Sequence, residues 1–579
     1  MNRKNIPAKN IAWALGQTLY FIILTLAFTR PLYRQLATHV AGSLGDNLYF
    51  IWQIGWFKQA LFDLGQLPLR SNLLNFPYGY NLATTEIAPL QLAFAMPFAL
   101  SGNYVLGYNV SILLTFVLAG LSMSCWVQHL SGSRMAGLVS GTAYAFLPYH
   151  MAHFLSGHLN ISAIQWFPLF FWGLSGMLTE DGKNRRNIWL AAAGLSGIAL
   201  TSQYYLYLTA LVSALILLVY FLFLRRERFL EWRLWKQFLI TGLISLPALA
   251  VGVVPYMLVH EGAGLARTLA DVMVFSASPS DFLLPFTRQF LWGKWVGQHF
   301  SRDLWNEATL YLGLPLTVLA VLGYAKRRKS GRQLLFAVFL TGFISSLILA
   351  LGTNLTWNEQ AVAFSASSWL AKIFKNEQRL ITLPGYLFFK YVPFYAIMRA
   401  WMRMGVLVLM FNCAAAGLGL DWLCRQARKP VHGTWLGLAA LALVLVDFYV
   451  KPNSLSEVQP REVDLWLAEQ PYGGQVQLPL KQSYEEAALY YTLYSQKPLI
   501  GVIRTFPSNR YFELEPLLRN FPDETSLAAL QAQQLTYVVL DEKVYTVDNA
   551  FIDRCEALGM HFAVEMDGQA VFILPGADD

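Results

Sequence analysis

The chain has 579 residues, of which 55% are hydrophobic and only 13% are charged. A water-soluble domain carries about 25% charged residues, so the composition excludes a soluble enzyme and predicts a polytopic membrane protein. The net charge of +8 comes from short basic clusters between apolar runs, a pattern that sets membrane orientation and does not indicate nucleic-acid binding.

The first apolar run, at about 12–29, lacks a small-residue cleavage site and is predicted to be a retained membrane anchor. Ten further runs are close to the roughly 20 residues that a membrane-spanning helix needs. They lie at about 105–128, 134–149, 160–178, 187–202, 203–224, 237–260, 308–325, 333–352, 401–424 and 433–450. Three of the four cysteines fall in apolar segments, so no disulfide framework is predicted.

Basic clusters between these runs set the predicted orientation, because loops rich in Lys and Arg stay in the cytoplasm. The clusters are Arg185-Arg186, Arg225 to Lys236, Lys326 to Arg332 and Arg425 to Lys429. They predict eleven spans, a cytoplasmic N-terminus and an extracytoplasmic tail, provided that the short apolar stretch at 86–100 lies at the interface without crossing. A second interfacial helix is predicted from Leu48 to Leu64, with an aromatic face made by Trp52, Trp56, Phe57 and Phe62.

The chain changes character after residue 450. Charged residues become more frequent, and three alternating stretches predict strands, at Gln475 to Leu480, Thr536 to Leu540 and Gln569 to Leu574. The predicted fold class is therefore a polytopic α-helical membrane protein of about eleven spans over residues 1–450. A small extracytoplasmic α/β domain follows over 451–579.

Two carboxylates stand at the expected outer surface. Asp46, after the first span, is typical of a helix N-cap and also fits a general base, and the two roles are compatible. Glu86 leads the interfacial stretch, where it can complement the positive helix end, act as a second acid or bind a metal ion. We take both as candidate catalytic residues.

The second outer loop contains three of the nine histidines within nine positions: His150, His153 and His158. The first two are three apart, which would place both rings on one face of a helical turn and suit a metal ion or a phosphate. They also fit an interfacial aromatic belt. Because no cysteine or clear fourth ligand accompanies them, contact with a phosphate or sugar is favoured over zinc, and a divalent cation stays possible. His158 is a further catalytic candidate, and His150, His153, Asn160 and Gln165 are substrate-binding candidates.

Basic residues also occur in the long outer loops. Arg288 is one of several between 261 and 307, and Arg399 and Arg403 are four apart at the start of a predicted span. Paired guanidinium groups on one helix face suit a phosphate or pyrophosphate, although arginines at this level also snorkel to lipid head groups. All three are substrate-binding candidates.

Together these features resemble the GT-C superfamily of membrane glycosyltransferases, which includes protein O-mannosyltransferases, aminoarabinose transferases and oligosaccharyltransferase catalytic subunits. The resemblance lies in Gly45-Asp46, Ser131-Gly132-Ser133-Arg134, Pro148-Tyr149-His150 and the soluble tail. A closer likeness, to a large set of poorly characterised bacterial GT-C-like proteins, adds Phe76-Pro77-Tyr78, Gly157-His158 to Pro168, and Arg399 to Arg403.

The resemblance implies a bacterial or archaeal plasma-membrane enzyme in which Asp46 is the catalytic base. The donor would be a polyprenyl-phosphate-linked hexose or pentose, and the acceptor an envelope glycan, lipid or protein. The arginines would stabilise the leaving phosphate while the anomeric carbon is inverted. The chain departs from many GT-C enzymes where it has histidines and Asn160 in place of an acidic residue. A lipid or polysaccharide transporter and a non-catalytic envelope-assembly scaffold are the alternatives.

Overall fold

A computed structural model describes residues 8–180, 184–260, 267–300, 304–365, 378–480, 482–501 and 509–576. It is mostly helical. Up to residue 450 the helices are α1 (Ala8–Phe28), α2 (Asp46–Lys58), α3 (Pro89–Ala99), α4 (Tyr104–Ser131), α5 (Arg134–Ala145), α6 (Pro148–Leu155), α7 (Trp166–Thr179), α8 (Arg185–Ala199), α9 (Gln203–Val219), α10 (Trp232–His260), α11 (Leu269–Val274), α12 (Pro279–Leu283), α13 (Gly293–His299), α14 (Leu314–Lys326), α15 (Gln333–Ala350), α16 (Gly385–Tyr391), α17 (Gly405–Arg425) and α18 (Pro430–Phe448).

Within the described residues, seven helices are long and apolar enough to cross a membrane. They are α1, α4, α9 with its extension to Leu224, α10, α15, α17 with the turn before it, and α18. The other four predicted spans correspond to the shorter helices α5, α7, α8 and α14, of 12 to 15 residues. Helix α17 is the centre of the bundle, because every residue from Gly405 to Asp421 is buried.

The basic clusters meet at one end of the bundle. Arg186 donates hydrogen bonds to His129, Arg228 donates to the carbonyl of Leu178, and Arg425 donates to the carbonyl of Ser131. The opposite ends of other helices meet on the far side, where the backbone N–H of Leu314 donates to Asp447. The helix ends joined by the basic clusters are thus different from those joined at Leu314 and Asp447.

The two predicted interfacial helices have different environments. Helix α3 has 11 residues with Pro97 inside it, too short to span a bilayer. Phe62, beyond the end of α2, is exposed, but every residue of α2 from Asn47 to Phe57 is buried, so the rest of the predicted aromatic face is not free for lipid. The reason is a tail helix that covers it: Trp52 Nε1 donates to Thr492 Oγ1 at 3.0 Å.

The tail contains the helices α19 (Glu462–Glu469), α20 (Gln482–Ser495), α21 (Asn509–Leu517), α22 (Glu524–Gln531) and α23 (Asn549–Ala557). Its four-stranded sheet has the order β11 (His561–Met566), β12 (Gln569–Ile573), β10 (Leu535–Asp541) and β9 (Gly474–Leu478), with β9 and β10 parallel and the other pairs antiparallel. The three predicted strands correspond to β9, β10 and β12.

The tail is joined to the first outer loop. Strand β1 (His39–Ala41) pairs with β8 (Leu455–Glu457), and the backbone N–H groups of Asn75 and Phe76 donate to the carbonyls of Gly501 and Leu499. Three short hairpins complete the strands: β2 (Arg70–Ser71) with β3 (Tyr80–Asn81), β4 (Thr356–Trp357) with β5 (Gln360–Ala361), and β6 (Ala363–Ser365) with β7 (Gln378–Leu380).

Candidate active site

Asp46 is the first residue of α2, but it is not the cap of that helix. The N-cap is Gly45, and Asn47 Oδ1 accepts hydrogen bonds from the backbone N–H groups of Gly45 and Leu48. The Asp46 carboxylate is therefore available for another partner, and its Oδ2 lies 3.1 Å from His158 Nε2. The Asp46 side chain is 54% exposed, so a substrate can reach it.

A line of ionisable side chains leads inward from Asp46. His158 Nδ1 lies 2.7 Å from His153 Nδ1, a hydrogen bond in which one ring donates to the other. His153 Nε2 lies 3.7 Å from Glu307 Oε2, and Glu307 accepts hydrogen bonds from Arg403 Nε at 2.9 and 3.1 Å. Four segments of chain thus meet in one polar line: the start of α2, the end of α6 with its following turn, the residues before α14, and the turn before α17.

The backbone explains how the two histidines meet. His158 donates its backbone N–H to the carbonyl of His153, which closes a turn after α6. Gly157, in that turn, has a φ of +77°, a conformation that glycine adopts without steric cost. A Cβ at Gly157 would lie 2.5 Å from the backbone nitrogen of Asn47, so the absence of a side chain also brings the second outer loop against α2.

The surroundings favour a charged Asp46. The protein around the half-exposed carboxylate removes part of its water and so opposes ionisation, but the hydrogen bond and charge interaction with His158, together with the charge of Arg403, lower the pKa of Asp46 below its ordinary value of 3.8. Glu307 is more enclosed, and its side chain is only 4% exposed. Burial likewise opposes its ionisation, but Arg403 and His153 lower its pKa to about 2, so both carboxylates are ionised at neutral pH.

The two predicted arginines have different roles in the structure. They do not share one helix face, because Arg399 precedes the 3₁₀ turn Trp401–Met404 that contains Arg403. Arg403 is buried, pairs with Glu307 and lies over the ring of Tyr204, 4.8 Å from its centroid. Arg399 is exposed and lies over the ring of Phe275 at 4.3 Å. Within the described residues Arg399 makes no ion pair, so its charge is available to a ligand.

A second polar pair contains Glu86. Its carboxylate accepts a hydrogen bond from the side-chain amide of Asn160, and its backbone carbonyl accepts from Tyr49 at 3.1 Å and from Gln53 at 3.0 Å. Gln165 is buried, and neither atom of its amide has a hydrogen-bond partner among the described residues. The structure thus brings Glu86 and Asn160 together, as an acid held by an amide.

Two other predicted residues lie apart from this line. His150 is fully buried, stacks on Phe116 with ring centroids 3.8 Å apart, and has both nitrogens partnered, by Thr115 Oγ1 and the carbonyl of Ala145. Burial lowers its pKa to about 3, so His150 is a neutral core residue; it lies three positions before His153 on α6, but its ring nitrogens bond to other residues. Arg288 points to the carbonyl of Pro452, where the tail begins.

Residues 14–416 match the model of a family described as a domain of unknown function, DUF6311. The chain belongs to this family. No curated protein is detectably similar to it in sequence. Among solved structures, the oligosaccharyltransferase of Archaeoglobus fulgidus superposes with a TM-score of 0.52 at 11% identity, covering 92% of this chain and 70% of that one. The arabinofuranosyltransferase AftD from Mycobacteria gives 0.55 at 13%, covering 98% of this chain and 40% of that one.

Both enzymes are GT-C glycosyltransferases, so this DUF6311 protein has a GT-C-like fold, as the motifs indicated. At such low identity the likeness shows the fold alone. The chain spans less than half the length of the arabinofuranosyltransferase. The apolar helices and this fold also make the chain an integral membrane protein.

The sequence patterns did not identify Glu307 as part of this line of ionisable residues. It is the last charged residue before an apolar run, and nothing local relates it to histidines about 150 positions earlier. It also supplies the third group that the histidines lacked: His153, His158 and Glu307 each offer an atom within 4.8 Å of the others, close enough to hold a metal ion. Two nitrogens on one tetrahedral zinc lie about 3.3 Å apart, however, so the 2.7 Å separation of the two Nδ1 atoms fits a shared hydrogen bond better.

Proposed function

We propose that this protein is an integral-membrane glycosyltransferase that moves a sugar from a polyprenyl-phosphate-linked donor to an acceptor outside the membrane. The observation that carries the proposal is the Asp46–His158 pair. An ionised, half-exposed carboxylate at the outer end of a GT-C-like bundle is oriented by a histidine and is open to a substrate hydroxyl. The acceptor is an envelope glycan, lipid or protein.

In the proposed reaction, one residue accepts the proton and another stabilises the leaving group. Asp46 accepts the proton of the acceptor hydroxyl, whose oxygen forms a bond to the anomeric carbon. The bond from that carbon to the phosphate oxygen breaks on the opposite face, which inverts the centre. The electron pair leaves with the lipid phosphate, and the exposed Arg399 stabilises its negative charge. Glu86 and Asn160 offer an acceptor and a donor for sugar hydroxyl groups.

Arg403 contributes indirectly in this proposal. Its guanidinium is already paired with Glu307, so it neutralises that carboxylate and holds it beside His153. His153 and His158 then hold Asp46 in position. We propose that no divalent cation is needed for this arrangement, so transfer survives a chelator. Complete loss on chelation, restored by added Mg²⁺ or Mn²⁺, would contradict this and make the group a metal site.

The proposal also fixes the arrangement in the plasma membrane. Eleven crossings by α1, α4, α5, α7, α8, α9, α10, α14, α15, α17 and α18 place the N-terminus and the basic clusters in the cytoplasm. Asp46, the histidines, Glu307 and the tail then lie outside. Sugars on polyprenyl carriers reach that side, so donor and base meet at the outer leaflet.

The decisive experiment compares glycans from cells with and without the protein. The intact mass of lipid-linked glycans and of envelope polymers is measured in a deletion strain complemented with wild type, Asp46→Asn or Asp63→Asn. We expect one sugar to be missing in the deletion and in Asp46→Asn, because general-base removal costs about 10²–10⁴-fold in rate. Asp63, an exposed partner of Lys58, is the matched control and should restore the wild-type mass. Identical glycans in all four strains would refute the function.

A further inference from the structure

One outer segment of the protein exposes far more apolar surface than water favours. In residues 288–299, here called the aromatic segment, four large apolar side chains fall within six positions. Phe290 is 58% exposed, Leu291 52%, Trp292 58% and Trp295 49%. Between them Gly293 and Val296 are buried and fix helix α13 to the protein. Contiguous apolar surface of this kind marks a surface that binds something apolar.

The aromatic segment is held at the level where apolar helices end. The backbone N–H of Phe290 donates to the carbonyl of Tyr449, and Gln289 pairs with Val450, directly after the apolar helix α18. Tyr449 in turn accepts a hydrogen bond from Arg30, two residues after α1. The segment thus lies beside the outer ends of two candidate membrane spans. If these helices span the bilayer, the segment lies where they reach the boundary between lipid tails and head groups.

The charged side chains within the segment have one sign. From residue 282 to 300 the sequence has no Asp or Glu, whereas it has Arg288 and Lys294. Lys451 also joins it, through its backbone N–H and the carbonyl of Arg288. The acidic residue next to these contacts is Asp447. Its carboxylate is already bonded, because it accepts hydrogen bonds from Tyr311 and from the backbone N–H of Leu314. Basic side chains interleaved with Trp and Phe are the composition that binds anionic lipid surfaces.

We propose that the aromatic segment is a docking surface for the anionic lipid head groups of the outer leaflet. Phe290, Leu291, Trp292 and Trp295 insert among the upper parts of the acyl chains, and Arg288 and Lys294 bind lipid phosphates. The docked segment ends eight positions before Glu307 in the chain. The inference does not require that the protein transfers a sugar.

Nitroxide labels test the insertion. Cysteines are placed singly at Trp292 and Trp295, and as matched controls at Leu465 and Tyr472, which are similarly exposed on the tail. The full-length protein, with its native cysteines replaced, is studied in nanodiscs containing phosphatidylglycerol. We expect the labels at 292 and 295 to be relaxed more by oxygen than by a water-soluble nickel chelate, and the tail labels to show the reverse. A water-type response at 292 and 295 would overturn the proposal, and so would protection from both reagents, which would indicate a protein partner.

Native mass spectrometry tests the charge requirement. The protein is released from nanodiscs of mixed phosphatidylglycerol and phosphatidylcholine, and the ratio of the two retained lipids is measured. Arg288→Gln with Lys294→Gln should lower the retained anionic fraction, by about fivefold per charge removed. The control pair Arg519→Gln with Lys543→Gln, exposed on the tail, should leave the ratio unchanged. Equal ratios in the test pair and wild type would show that the segment has no preference for anionic lipid.

Discussion

At the scale of single residues, the site is organised by which charges are already paired. Glu307 and Arg403 are both largely buried, with side chains 4% and 11% exposed, and neither would be tolerated there alone. Arg399, only four positions away, is exposed. Two arginines that look equivalent in the sequence therefore differ in what their removal should do.

The two arginines give the first prediction. Arg403→Gln should destabilise the protein by about 3 kcal/mol, because it leaves the Glu307 carboxylate buried and unpaired. Arg399→Gln should change stability by less than about 1 kcal/mol, since an exposed residue is lost. The measurement is thermal unfolding in detergent, followed by tryptophan fluorescence. Equal losses in the two variants would contradict the assignment of Arg403 to the ion pair.

The pH dependence of transfer gives the second prediction. Because the pKa of Asp46 is lowered, the base should stay ionised, and activity should persist, as pH falls until it passes through that lowered pKa. In His158→Gln the hydrogen bond and charge interaction with His158 are lost while burial still opposes ionisation. The acid limb of the pH–rate profile should therefore move to higher pH.

His432→Gln is the matched control for this pH profile. His432 is exposed at the start of α18, so its replacement should leave the acid limb in place. A profile of His158→Gln that superposes on wild type would show that His158 does not act on Asp46.

The sequence predicted part of this site for physical reasons. Asp46 and the histidines stand in short polar stretches between apolar runs, where side chains at membrane ends are expected to meet. Glu307 could not be placed, since its partner Arg403 lies 96 positions away and the contact exists only after the bundle packs. His150 was assigned to the substrate because spacing says nothing about burial, and the stacking on Phe116 is a tertiary contact.

At the scale of elements, the close approach of α2 and the turn after α6 is what puts Asp46 beside His158. Gly157 makes this possible, because a Cβ would meet the backbone of Asn47. Gly157→Ala should therefore separate the two elements and lower transfer by about 10²-fold, the cost of a displacement near 1 Å at a reacting group. Activity and thermal unfolding are measured together.

Gly65→Ala is the matched control for this prediction. Gly65 also has a positive φ, +63°, but a Cβ there would have no neighbour within 4 Å. Both substitutions share the backbone cost of about 1–2 kcal/mol, whereas only Gly157→Ala adds the clash. If both variants lost the same activity, general strain and not the separation of Asp46 from His158 would explain the loss.

Elements were easier to predict than their surroundings. The helical runs follow from apolar length, and three of the four strands in the tail sheet follow from alternation. The fourth, β11, escaped because its exposed and partly exposed residues do not alternate cleanly. The aromatic face of α2 was assigned to lipid because a tail helix far away in sequence could not be known to cover it. The pattern predicts that a face is buried, not what buries it.

At the scale of the whole molecule, we propose that two groups of joined helix ends lie on opposite sides of the membrane. Arg186, Arg228 and Arg425 donate hydrogen bonds to residues at the ends of α4 and α7, on one side of the bundle. The site, the aromatic segment and the junction with the tail occupy the other. Four of the eleven helices in this arrangement are shorter than a full span, and two of them, α5 and α7, are mostly buried among their neighbours. Helices shielded by neighbours can be short because protein, not lipid, surrounds their ends.

This topology gives the last prediction. Single cysteines at Lys329, between α14 and α15, and at Ala468, on α19 of the tail, lie at exposed positions on opposite sides. In intact cells a membrane-impermeant maleimide should label position 468 and leave position 329 unlabelled until the cells are opened. The basic loop around 329 must stay in the cytoplasm, whereas the hydrogen bonds between tail and first outer loop require both to lie outside. Labelling of 329 alone in intact cells would invert the molecule and place Asp46 in the cytoplasm, away from any donor on the outer leaflet.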